Sequence, residues 1–161
     1  MKLKIKDKIP DIEIFYLVDG EPQTCKIREI LGNSKIILFG LPGAFTSTCS
    51  KVHLPGYVAN ADKIKAKGID KIFCISVNDP HVMNAWGVSN NVENKITMLS
   101  DPYLSFTKAI GAEIDRNSKG MGMRSNRYAM VIENLEVINV RVEEETKQCG
   151  LSSANGILDI L

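Results

Sequence analysis

The sequence predicts an α/β fold in which a central mixed β-sheet is flanked by helices, and three observations predict it. Ile36–Leu41 is a continuous apolar run rather than an alternating one, which is how a strand buried on both faces reads, and Ile69–Val77, with Ile72, Phe73, Cys74, Ile75 and Val77, reads as a second central strand. Each is followed by a segment with helical spacing. The chain then ends in a hairpin pattern and one more helix, so early β/α alternation gives way to antiparallel pairing. With 161 residues, 44% of them hydrophobic and 24% charged, the chain is long enough for one full core. We expect a single domain over residues 1–161, with no repeat or linker.

The elements follow in order. Lys2, Lys4, Lys6 and Lys8 alternate with Leu3, Ile5 and Ile9, which predicts a half-solvated edge strand, an N-terminal strand or hairpin extension of the sheet. Ile36–Leu41 predicts a buried parallel strand. Tyr57, Ala61 and Ile64 fall near helical spacing and Gly68 closes the pattern, so a helix runs from about Cys49 to Lys67. Pro55-Gly56 inside it predicts a kink. Ile69–Val77 is a second central strand. Asn78-Asp79-Pro80 then caps a helix bearing Val82, Met83, Trp86 and Val88. Ile96–Leu99 is a short strand closed by Ser100-Asp101-Pro102, and Ser105–Ile110 a short helix. Tyr128–Ile132 and Val137–Val142 straddle Glu133-Asn134 as a hairpin, and Ser152 or Ser153 caps a last helix to Leu161.

Charge excludes several function classes. Lys+Arg 20 against Asp+Glu 19, with both signs scattered, argues against nucleic-acid or membrane partners. No apolar stretch reaches the length of a membrane span, and no signal-peptide core opens the chain. The expected location is cytoplasmic, or an organelle if a leader has been removed. Cysteines stand at 25, 49, 74 and 149 with no C-x-x-C pair, and the only histidines are His53 and His81. That pattern predicts neither a disulfide framework nor a metal site.

The most informative segment is Pro42-Gly43-Ala44-Phe45-Thr46-Ser47-Thr48-Cys49, directly after the first buried strand. It predicts a turn that opens a helix with a thiol in its first turn. Unpaired N–H groups and the helix dipole there favour an anion, and the thiolate is the nucleophilic form. A thioredoxin-like fold would carry C-x-x-C at this place, but Thr46 replaces the first cysteine. Dithiol exchange needs both sulfurs, so one thiolate attacking something small and polar is the chemistry that remains.

These residues resemble the peroxiredoxins, cysteine enzymes that reduce hydroperoxides. Pro42-x-x-x-Thr46-x-x-Cys49 matches their active-site motif, and Cys49-Ser50-Lys51-Val52-His53-Leu54-Pro55-Gly56 is similar to the type II (type-five) subgroup. So are Ile75-Ser76-Val77-Asn78-Asp79 with Ala85-Trp86-Gly87, and Gly122-Met123-Arg124-Ser125-Asn126-Arg127-Tyr128. The resemblance implies a thioredoxin-like fold and an antioxidant, thiol-dependent peroxidase acting in cell redox homeostasis. Hydrogen peroxide and organic hydroperoxides would be its substrates.

It also implies roles. Cys49 would attack the peroxide and become a sulfenic acid, and Thr46 would offer its hydroxyl to peroxide and thiolate. Arg127 would place a cation near the sulfur and the departing oxygen, while Pro42 would cover the site. Lowering a cysteine pKa by about three units raises the thiolate fraction at pH 7 only about 30-fold and costs some nucleophilicity. Preorganised donors therefore carry the larger share, with Thr46, Arg127 and the Cys49 N–H as candidates.

Other residues take plainer readings. Cys74, between Phe73 and Ile75, reads as core, and Cys25 is assigned no role. Trp86 and Phe45 read as packing or interface aromatics. Arg124 divides evenly between a surface or dimer-contact charge and an active-site role. His53, one turn past Cys49, either tunes it or packs on the helix surface. The chain departs from the subgroup at Ser47, where many members have proline; neither hydroxyl nor thiol is lost, so activity should survive.

How the sulfenic acid is reset stays open between two routes. Animal members of the subgroup use a C-terminal resolving cysteine, and Cys149 lies near that region. Yet Gly150-Leu151-Ser152-Ser153-Ala154 is more similar to plant and bacterial members, which lack that cysteine and often carry one at the place of Cys74. Those are reset by glutathione with glutaredoxin, or by thioredoxin. The favoured expectation is a one-cysteine cycle with an external thiol, no bound cofactor, and a homodimer. The competing classes are a Cys49–His53 hydrolase or acyltransferase and a redox sensor or holdase that passes Cys49 oxidation to a partner.

Overall fold

The computed structural model describes residues 1–161. A hairpin, β1 (Glu13–Val18) and β2 (Glu21–Lys26), leads into a single-turn helix α1 (Ile27–Leu31) and the buried strand β3 (Lys35–Gly40). A π-helical turn at Cys49–His53 runs into α2 (Leu54–Ala66), followed by β4 (Lys71–Ser76), α3 (Pro80–Ser89), β5 (Thr97–Ser100) and α4 (Ser105–Ala109). The remainder holds β6 (Glu113–Asp115), a 3-10 turn at Asn117–Lys119, β7 (Met123–Ser125), β8 (Tyr128–Glu133), β9 (Glu136–Val142) and α5 (Ala154–Leu158). Seven strands form one sheet in the order β2-β1-β5-β4-β3-β8-β9, and β6-β7 pair separately. β3, β4 and β5 run parallel at its centre, while β8 and β1 flank them antiparallel.

Alternation within the central runs assigns each side chain to a face. Ile37, Phe39, Cys74, Ala129 and Val131 join one apolar cluster with Leu54, Tyr57, Met83, Trp86 and Ile157 of the helices. Ile36, Leu38, Phe73, Ile75, Met130 and Ile132 join the opposite one with Ile27, Leu31, Phe106 and Ile110. Cys49 belongs to the first cluster, so the thiol-bearing turn sits on the α2/α3/α5 face. At the end of β3, Gly40 pairs with Tyr128, and a Cβ on Gly40 would fall 2.3 Å from the Tyr128 ring. Only glycine lets the ring lie there, at the strand entry that also carries Arg127.

Three expectations change. Residues 2–9 form no strand; they carry one turn, at Ile5-Lys6, and one bridge, Lys8 to Glu136. Lys6 adopts φ 76°, and Lys4 N–H donates to the Asp7 carboxylate at 2.7 Å. This breaks the alternation and leaves Ile5 exposed. The N-terminal hairpin is instead Glu13–Lys26, turning at Asp19-Gly20. The long helix changes geometry one residue before Pro55: Leu54 N–H donates five residues back, to Cys49 C=O. Pro55 has no N–H for Lys51 C=O and its ring crowds that carbonyl, so the turn widens where a straight α-helix would clash. The last helix is capped by Ser153, whose Oγ accepts from Gly156 N–H, and it ends at Leu158 rather than Leu161.

Candidate active site

The site begins in the turn that β3 empties into. Asn78, just past β4, accepts from Ala44 N–H at 2.9 Å and from Ser76 Oγ–H at 2.7 Å, so the parallel neighbour strand holds the turn. Arg124 bonds Met121 C=O at 2.8 Å and lies against Gly43, where a Cβ would come within 3.1 Å of its Nη1. Arg124 therefore lies beside the turn, bonded to the Met121 and Val77 carbonyls, and makes no hydrogen bond to Cys49. Phe45 takes a left-handed φ of 61° and is 60% exposed. Thr46 C=O accepts from Ser50 N–H at 2.9 Å, which opens the helix and places Cys49 in its first turn. The Thr46 hydroxyl donates to Gly43 C=O at 2.8 Å.

Cys49 is closed to solvent, and its Sγ accepts from Arg127 Nη2–H at 3.2 Å. Arg127 is itself buried at the entry to β8. Its Nε and Nη2 donate to Thr146 C=O at 3.2 and 2.9 Å, and its Nη1 donates to His53 Nδ1 at 2.9 Å. The chain has one ion pair, Lys8–Glu136, so no carboxylate neutralises Arg127.

His53 does not lie on the helix surface. It is buried, with Nε2 3.0 Å from Ser152 C=O, which also accepts from Tyr57 O–H at 2.9 Å. Guanidinium can only donate and a carbonyl can only accept, so the ring is neutral with its proton on Nε2. Burial pushes the His53 pKa down to about 3, and the Arg127 charge adds to this against the Ser152 carbonyl.

The carbonyls of Thr146 and Ser152 come from one loop, 143–153, and that loop is pinned by Glu143. Its buried Oε1 accepts from Gly150 N–H, Ser152 N–H and Ser152 Oγ–H, each at 2.8 Å. Cys149 sits half-buried in the same loop, and burial raises its pKa to about 11 against the pull of Arg127. Cys74, one strand into the core, is pushed well above the ordinary thiol range by burial. Trp86 is buried and donates to Ser50 Oγ at 2.9 Å.

A cavity of about 220 Å³ opens beside this network, lined by Pro42, Thr46, Arg127 and Thr146 among others. The structure thus gathers Pro42, Thr46, Cys49 and Arg127 and leaves Cys149 in the neighbouring loop. Sequence reasoning missed Asn78 as a clamp, Glu143 as a pin and Thr146 as an acceptor. One signal existed: Asp79 alone caps α3, through Val82 N–H, which leaves Asn78 free for another task. Glu143 heads a run of three glutamates and carries no mark of its burial.

The redoxin family profile matches residues 4–158. The chain is 41% identical to Peroxiredoxin-2D of Arabidopsis thaliana over 160 residues, covering 99% of this chain and 98% of that one. Vibrio vulnificus Prx3, solved reduced and in complex with hydrogen peroxide, superposes with a TM-score of 0.92 at 42% identity over 98% of each chain. Peroxiredoxin 5 of Alvinella pompejana gives 0.85 at 35% identity, over 97% of this chain and 96% of that one.

Proposed function

The chain belongs to the redoxin family as a type II peroxiredoxin, a thiol-dependent peroxidase, and from that premise we propose that Cys49 is its peroxide-attacking thiol. One observation carries the assignment. Among the side-chain partners of the buried, uncompensated Arg127, only the Cys49 sulfur can become an anion. A buried cation without a counter-charge is costly, and a thiolate at 3.2 Å supplies one.

The chemistry balances simply. The thiolate attacks the distal peroxide oxygen; an S–O bond forms, the O–O bond breaks, and Cys49 becomes a sulfenic acid. The proximal oxygen leaves as alkoxide or hydroxide and takes a proton from water. Arg127 has five N–H donors and four are engaged, so one Nη1–H is left for the leaving oxygen. Thr46 has committed its proton to Gly43, so it serves the peroxide as an acceptor of its O–H. Pro42 limits water on the cavity side.

Resetting uses an external thiol, glutathione with glutaredoxin or thioredoxin. The thiol condenses with the sulfenic acid, releasing water and leaving a mixed disulfide; a second thiol then frees Cys49. A Cys149 thiol with pKa about 11 is thiolate only about once in 10⁴ at pH 7, which disfavours it as the resolving group. The homodimer remains part of the proposal, with the exposed Phe45 at the turn as a candidate contact.

Stopped-flow peroxide reduction with each reductant, on wild type, Cys49→Ser and Cys149→Ser, tests this reading. Turnover should vanish in Cys49→Ser and persist in Cys149→Ser. A Cys49–Cys149 disulfide as the main peroxide product by mass spectrometry overturns the external reset. Sulfenic acid formation without turnover by any reductant would favour a relay to a protein partner.

A further inference from the structure

The cavity beside Cys49 has a charge pattern that peroxide reduction alone does not require. Arg116, Lys119 and Lys147 line it together with Arg127, and no carboxylate does. Over the whole chain the signs nearly cancel, 20 against 19, so a wall with cations only departs from the rest of the surface. Arg127 is engaged with Cys49, but the other three have no ion pair. Acids stand nearby, because Asp115, Glu144 and Glu145 line an adjoining pocket shared by Arg116 and Lys147, yet none comes within 4.0 Å of a cation.

These cations are mounted on fixed backbone. Arg116 N–H donates to Gly122 C=O at 2.9 Å, and Arg116 C=O accepts from Lys119 N–H at 2.9 Å and Met121 N–H at 3.2 Å. Arg116 and Lys119 thereby bracket the 3-10 turn at Asn117–Lys119. Lys147 follows Thr146, whose carbonyl clamps Arg127. The Arg116 Nε is shut off from solvent and has no hydrogen-bond partner. Buried guanidinium N–H groups are nearly always paired, and this one has no acceptor within the chain.

We propose that Arg116, Lys119 and Lys147 form a carboxylate subsite at the mouth of the cavity. It seats a small anionic molecule whose thiol or hydroperoxide group must reach Cys49. The inference rests on Cys49 being the reacting thiol. A planar guanidinium suits a carboxylate geometrically, and the two lysines add attraction that raises encounter rates and weakens with salt.

The test compares matched probe pairs on wild type and on the triple variant Arg116→Gln/Lys119→Gln/Lys147→Gln. For the reset, peroxide-oxidised protein is reduced by 3-mercaptopropionate or by uncharged 2-mercaptoethanol. For the attack, the reduced protein is given linoleic acid hydroperoxide or its methyl ester. In at least one pair the anionic-to-neutral rate ratio should fall about tenfold in the variant, and which pair responds identifies the source of the carboxylate. Raising NaCl from about 20 to 300 mM should erase the same preference in wild type and change little in the variant. Ratios unchanged in both pairs overturn the subsite. Oxidation of wild-type Cys49 by hydrogen peroxide, neutral and without a carboxylate, reports separately on the peroxidase reading.

Discussion

Cys49 and Cys74 are both closed to solvent and belong to the same apolar cluster, and both feel the Arg127 charge, yet only Cys49 has a guanidinium hydrogen bond on its sulfur. Cys74 lies within β4, paired with Phe39 and Met98, and its sulfur meets the core. Cys49 lies in a helical first turn with a guanidinium donor on its sulfur. Burial alone drives a thiol toward its inert protonated form, as it does at Cys74. On the proposed assignment, what separates the reactive thiol from the structural one is the Arg127 hydrogen bond on its sulfur and the acceptors that hold Arg127, not exposure.

The largest way to break this comparison is to exchange the sulfurs' fates. Cys49→Ser should reduce peroxide consumption to background, whereas Cys74→Ala should keep it and lose only about 1 kcal/mol of stability in urea unfolding. Equal loss of activity in both would show that the core sulfur shares the chemistry. Next in size, Arg127→Gln should cost roughly 10²–10³ in the second-order rate constant with hydrogen peroxide, the usual effect of removing one preorganised donor. A loss under threefold would mean that Arg127 is mainly structural.

Much of this was legible in the sequence, for physical reasons. Ile36–Leu41 and the Ile72–Ile75 stretch of the second strand read as central because burial on both faces forces apolar runs. Thr46 in place of a first cysteine already excluded dithiol exchange. The strand expected at residues 2–9 failed because alternation reports periodic side chains, while the local Lys4–Asp7 hydrogen bond decides the backbone. The hairpin Glu13–Lys26 escaped notice because β2, an edge strand of mostly exposed residues including Pro22, has no apolar face to announce it. The support beneath the site was illegible for another reason. Thr146 and Ser152 act through backbone carbonyls, and a carbonyl leaves no trace in residue identity.

That support gives a smaller test. Glu143 touches neither Cys49 nor Arg127 through its side chain, but it fixes the loop whose carbonyls orient both Arg127 and His53. Glu143→Gln weakens a charged acceptor of three donors, and peroxide reactivity should drop about 30-fold, equivalent to roughly 2 kcal/mol of positioning. The double variant with Arg127→Gln should be little worse than Arg127→Gln alone. Additive losses would separate the loop from the guanidinium.

The smallest effect concerns His53 and reads out as stability. Its folded pKa of about 3 lies below the ordinary histidine value of 6.5, so the unfolded chain binds a proton between those pH values that the folded chain refuses. Stability from this group is therefore complete above about pH 6.5 and is lost as pH falls toward 3. Between pH 6.5 and 5.5 the loss should be about 1 kcal/mol, steepening to roughly 1.4 kcal/mol per unit below that. His53→Gln removes the titration and leaves Asp101, the carboxyl raised by burial, in both proteins, so subtracting their urea-unfolding curves isolates the histidine. A difference that does not vary with pH would mean that His53 accepts a proton in the fold. The neutral ring facing Arg127 would then be wrong, and with it the hydrogen bond by which His53 Nδ1 holds the guanidinium beside Cys49.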